Sequence, residues 1–64
     1  MKREALLREL RKIARERGLA LTVIADRGKG GHIRVNLGER MSTIQSGELT
    51  PLHVRTILRQ LGVD

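Results

Sequence analysis

The sequence predicts an α+β fold, a two-layer sandwich of order α-β-β-β-α in which a three-stranded antiparallel sheet carries two helices on one face. Three observations predict it: apolar residues at helical spacing towards both ends of the chain, strict alternation in its middle, and short glycine-containing turns between the middle segments. Residues 2–17 (KREALLRELRKIARER) place Leu6, Leu10, Ile13 and Ala14 on one helical stripe with charges elsewhere, and Gly18 supplies the stop. Leu19 to Asp26 is aliphatic and β-branched, and Leu19, Leu21, Val23 and Ala25 line one face of a first strand. Arg27-Gly28-Lys29-Gly30-Gly31 has three glycines in five positions and reads as a turn.

The second strand, His32 to Leu37, alternates most clearly. Ile33, Val35 and Leu37 take the core face, while His32, Arg34 and Asn36 take the face left to solvent or a ligand. Gly38-Glu39-Arg40 connects it to a third strand, Met41 to Gln45, whose inward residue is Ile44. After a loop from Ser46 to Leu49, Thr50 is the N-cap and Pro51 the first position of a second helix. Its stripe is Leu52, Ile57, Leu58 and Leu61, and it ends at Gly62. Strands joined by short turns form a meander, and both helices must bury their stripes against it. On this reading Leu58 and Ile33 meet in the core.

At 64 residues the chain holds one domain, residues 1–64, with a thin stability margin. It has no cysteine, so no disulfide or thiolate metal site contributes, and a reducing compartment suits it. The charged start and the lack of a long apolar run predict neither a signal peptide nor a membrane span, which makes the cytoplasm the expected location. Thirteen Lys and Arg, ten of them Arg, face seven Asp and Glu, for a formal charge of +6. Guanidinium forks match phosphate oxygens, so the balance points to nucleic acid or an acidic protein. The absence of Phe, Tyr and Trp closes the base-stacking route used by many single-strand RNA readers. Recognition of RNA must then rest on phosphates, sugar hydroxyls and shape.

Gly28-Lys29-Gly30-Gly31 is not a P-loop, because it leads into a strand and no Ser or Thr follows its lysine. It remains a hairpin turn whose amides and cations, Arg27 and Lys29, can hold one phosphate. An exposed histidine at a strand start is in most proteins a plain surface residue. His32 stands out because glycines precede it, Arg27 and Lys29 lie just before it, and Arg34 shares its face. An imidazole among phosphate-holding cations has the ingredients of RNA transesterification. His53, near the start of the second helix, reads as an exposed helix residue. No ligand spacing supports a metal or cofactor, and neither Ser42 nor Ser46 sits on a nucleophile elbow.

The run Arg27 to His32 opening a strand, then Leu37-Gly38-Glu39-Arg40, Ser42-Thr43-Ile44, Gly47-Glu48-Leu49 and the closing Ile57 to Val63, resembles the HicA family of toxins from type II toxin–antitoxin modules. The resemblance implies a double-stranded-RNA-binding-domain-like fold of the order read above. It also implies metal-independent cleavage of mRNA by a single histidine, here His32, and a HicB-type antitoxin as protein partner. In this family the residue before the histidine is commonly serine; here it is Gly31. Arg27, Lys29, Gly30, Gly31 and Arg34 are the expected RNA contacts. The alternative expectation is a non-catalytic double-stranded RNA binder of the same fold, tracking phosphates with its basic turn and first helix.

Overall fold

Alternation is strongest in the segment that becomes the middle of the sheet, where a strand must satisfy a neighbour on either side. A computed structural model describes residues 1–25 and 31–63 and orders them as helix α1 (Arg3–Arg17), strands β1 (Leu21–Ala25), β2 (Ile33–Leu37) and β3 (Arg40–Ile44), and helix α2 (Pro51–Gln60). The sheet order is β1-β2-β3, antiparallel throughout. Ile33, Val35 and Leu37 of β2 are buried, whereas Arg34 is exposed. Pairing extends this alternation to the flanks: Val23 and Ser42 sit opposite Val35, and Ile24 and Thr43 sit opposite Arg34. The β2–β3 hairpin closes through Gly38 and Glu39, with Leu37 opposite Arg40. Gly38 has φ 61°, a left-handed value that a two-residue hairpin of the II′ kind requires at its first position.

Both helices send their apolar stripes into one core on the same face of the sheet. Leu6, Leu10 and Ala14 of α1 meet Ile33, Val35, Leu37 and Ile44 of the sheet, and Ile57 and Leu61 complete the cluster from the C-terminal side. Each Leu or Ile so buried contributes about 1.5–3 kcal/mol relative to exposure. Helix α1 closes where the Leu19 N–H donates to the Ala14 carbonyl at 2.8 Å. Helix α2 opens as the sequence predicts, with Pro51 at its start and the Thr50 hydroxyl accepting from the His53 N–H at 3.1 Å. Ser42 is the one polar side chain buried among the described residues, and its hydroxyl donates to Gln60 Oε1 at 2.6 Å.

Four particulars differ from the sequence reading. The first strand is shorter than Leu19–Asp26, and although Leu21, Val23 and Ala25 share the core-side face, only Leu21 is packed against the core. The β1 edge is thinly covered, with Val23 on that face 38% exposed. The third strand begins at Arg40, a residue earlier than expected. Leu52 is not part of the helical stripe: it is 71% exposed. Five positions before Ile57 it lies about 140° around the helix, while Val54, Ile57, Leu58 and Leu61 follow the i, i+3, i+4, i+7 spacing. Leu58 is half-buried at the edge of the core, and Ile57 is the deeper residue. Among the described residues no helix is long and apolar enough to cross a membrane.

Candidate active site

His32 lies just before β2, and Gly31, which precedes it, is closely enclosed. Gly31 has φ 67°, a conformation open to glycine and strained for other residues. Its carbonyl accepts a 2.7 Å hydrogen bond from Arg3 Nη1, which ties Gly31 to the first residue of α1. On the other side the Ser46 hydroxyl occupies the space a side chain at position 31 would need, 2.8 Å from where its Cβ would stand. A serine at position 31 would require Ser46 to shift, because the Ser46 hydroxyl already occupies the space its Cβ would take.

The Ser46–Leu49 loop is itself clasped to the start of the chain. Lys2 and Glu48 form an antiparallel bridge, the Arg3 N–H donates to the Gly47 carbonyl, and the Leu49 N–H donates to the Met1 carbonyl at 2.7 Å. The Met1 ammonium pairs with Glu48 Oε2 at 2.5 Å. That hydrogen bond and the ammonium's charge hold the Glu48 carboxyl below its ordinary value, Lys2 adding a smaller effect against slight desolvation. The clasp seats Leu49 in the core, 2% exposed, and so fixes where the loop can lie.

His32 is half-buried and lines a cleft of about 210 Å³ at the β3 side of α2. The opposite wall is one face of α2, where His53, Thr56, Ile57 and Gln60 recur at i, i+3, i+4 and i+7. Thr43 and Gln45 line it from the end of β3, and Leu49 and Ile57 are its apolar floor. Among the described residues lining it are two imidazoles, two hydroxyls and two amides, and no carboxylate. These groups can donate and accept hydrogen bonds to sugar and base edges, and they do not repel a phosphate. On the other flank of α2 a groove of about 360 Å³, lined by Leu49, Val54 and Leu58 with Met1, Pro51 and Arg55, offers no side chain that moves protons near neutrality.

The expected site residues divide into three groups. His32 lines the cleft, and Gly31, its neighbour in sequence, is bonded to Arg3 and is not among the lining residues. Arg34 is exposed on the outer sheet face among Ile24, Asn36 and Thr43, so it does not line the cleft with His32. Arg27, Lys29 and Gly30 lie outside the described residues. Sequence reasoning missed Arg3, Ser46 and the company of His53. A polar stripe at 53, 56 and 60 beside the apolar one was readable in α2, but what it faces was not. A further cationic stripe, Arg8, Arg11, Lys12 and Arg15, runs along α1 opposite Leu6, Leu10 and Ala14. No family model, curated protein or solved structure matches this chain. The fold and the cleft define it as a small basic α+β protein with a histidine-lined polar site.

Proposed function

We propose that the protein is a metal-independent endoribonuclease that cleaves mRNA with His32 as catalytic residue, acting as the toxin of a type II toxin–antitoxin module. The observation that carries this reading is the placement of His32 in a cleft whose described lining holds imidazoles, hydroxyls and amides and no carboxylate, directly after Gly31, whose carbonyl is bonded to Arg3. A group that must hand over a proton in a transition state works best when its position is set beforehand, and the Arg3 bond to Gly31 helps to set it. The reaction is attack of a ribose 2′-OH on the adjacent phosphorus, which needs no external nucleophile. Arg27 and Lys29, with the amides of Gly30 and Gly31, are the proposed contacts of the scissile phosphate, and Arg34, on the outer sheet face, is a proposed contact to the RNA beyond the cleft. The α1 cations extend the contact along the RNA backbone. The α-β-β-β-α order supports a double-stranded-RNA-binding-domain-like fold, and the +6 charge suits an acidic HicB-type antitoxin as partner.

The α1 stripe also favours a second reading, a double-stranded RNA binder without catalysis. One experiment separates the two. Cleavage of a long mRNA is followed for wild type and His32→Ala, with and without EDTA, after circular dichroism shows both to be folded. The expected outcome is cleavage by wild type that EDTA leaves unchanged, and a loss of about 10²–10⁴-fold in the variant. Full activity of the variant, or inhibition by EDTA, refutes the mechanism; RNA binding without any cleavage by wild type selects the binder.

A further inference from the structure

We propose that His53 is the second proton-transfer group of this site, so that the cleft cuts RNA with a pair of imidazoles, one on each wall. The inference rests on the ribonuclease reading above and deepens it. Metal-free transesterification needs two proton movements, one off the 2′-OH and one onto the departing 5′-oxygen. A single side chain on one side of the phosphorus serves one of them well, because the entering and leaving oxygens lie on opposite sides of it. Imidazole is the side chain suited to both roles near neutral pH.

The chain has two histidines in all, and both line the same cleft although they lie in different elements. His32 comes from the run into β2, and His53 from the first turn of α2. The position of His53 is set by its own backbone, whose N–H is held by the Thr50 cap, while its exposed side chain remains available to a ligand. Thr43, Gln45, Thr56 and Gln60 surround the pair with neutral hydrogen-bonding groups. Among the described residues lining the cleft, no carboxylate competes for the protons or repels the phosphodiester.

The step balances without a co-reactant. As the 2′-oxygen forms its bond to phosphorus, its proton passes to the neutral imidazole. As the P–O5′ bond breaks, the electron pair leaves on O5′, which takes a proton from the other imidazole in its cationic form. The products are a 2′,3′-cyclic phosphate and a 5′-hydroxyl; the imidazole that took the 2′-OH proton ends cationic, and the one that protonated O5′ ends neutral.

The test compares wild type, His32→Ala, His53→Ala and His53→Gln on an RNA oligonucleotide. It is repeated on the same oligonucleotide with sulfur in place of one bridging 5′-oxygen, whose thiolate leaves without needing a proton. Both His53 variants are expected to lose about 10²–10⁴-fold in rate with RNA affinity unchanged. The sulfur substrate is expected to restore whichever alanine variant lacks the acid and not the other, which supports a divided pair in either assignment. Glutamine keeps the helix and the polarity of the wall, so an equal loss in both variants reports the missing proton carrier and not misfolding. If His53→Ala cuts at the wild-type rate while His32→Ala is inactive, the pair is refuted and the ribonuclease reading stands. If the wild type cuts neither substrate, it is the ribonuclease reading that fails.

Discussion

Placing any side chain at position 31 is expected to loosen the turn that carries His32, and the size of the effect follows from two separable costs. An L-residue in the left-handed region costs about 1–2 kcal/mol relative to glycine, and Gly31 has φ 67°. A Cβ there would also stand 2.8 Å from Ser46 Oγ and 3.3 Å from Ser46 Cβ, so Ser46 must leave its rotamer, at about 0.5–1.5 kcal/mol. Gly31→Ala should therefore destabilise by about 1.5–3.5 kcal/mol, and Gly31→Ser by no less. In a domain of this size each kcal/mol is worth about 4–8 °C, which puts the fall in Tm at roughly 6–28 °C. Thermal melts followed by far-ultraviolet circular dichroism measure it directly. Adding Ser46→Gly should recover the steric part and leave the conformational part, so the double variant falls between wild type and Gly31→Ala. A Gly31→Ala melt within a degree or two of wild type refutes the geometry; a double variant no better than the single one refutes the role given to Ser46.

Three other outcomes are expected. Ile57→Ala should cost about 2–5 kcal/mol in a denaturant titration, with Leu58→Ala clearly milder, because Ile57 is buried and Leu58 is half-buried at the edge. Because Glu48 titrates lower in the folded chain than unfolded, its contribution is fully present above its ordinary value and lost as pH falls through the lowered one. The Tm gap between wild type and Glu48→Gln should thus be small at neutral pH, vanish in acid, and shrink with added salt at neutral pH. Replacing Arg8, Arg11, Lys12 and Arg15 by Gln should flatten the log–log salt dependence of RNA affinity by up to about 3, at ~0.7 per contact on a single strand. An unchanged slope removes α1 from the RNA surface.

The elements were legible because each is written in local periodicity: β2 alternates without exception, and α1 repeats its leucines a turn apart. Leu52 misled because any leucine near a stripe invites inclusion, and only the angle around the helix excludes it. Leu49 gave no signal, since a single apolar residue in a loop has no period and its burial depends on the clasp with Met1 and Lys2. His32 stood out by its neighbours in sequence, but its setting did not. The Arg3 bond to Gly31 joins residues 28 positions apart, and the meeting with His53 depends on how α2 lies against β3. Contacts of that kind leave no mark on spacing within either segment.

The hydrogen bond between Ser42 and Gln60 has a further effect, on the axial position of α2. The hydroxyl is buried on the inward face of β3, and Gln60 Oε1 is the side-chain acceptor it meets. Apolar packing alone tolerates sliding, because leucine and isoleucine stripes nearly repeat with each turn. Were α2 to slip along its axis by one turn, about 5.4 Å, the apolar stripe could find new neighbours but the hydroxyl would be left in the interior without its partner, at about 1–3 kcal/mol. Gln60 lies two turns beyond His53 on the same face of the helix, so the detent that stops the slip also meters how far His53 stands from His32. A serine with no part in the chemistry thereby sets the gauge of the cleft, and Ser42→Ala would free the helix to settle elsewhere while keeping every apolar contact of the core.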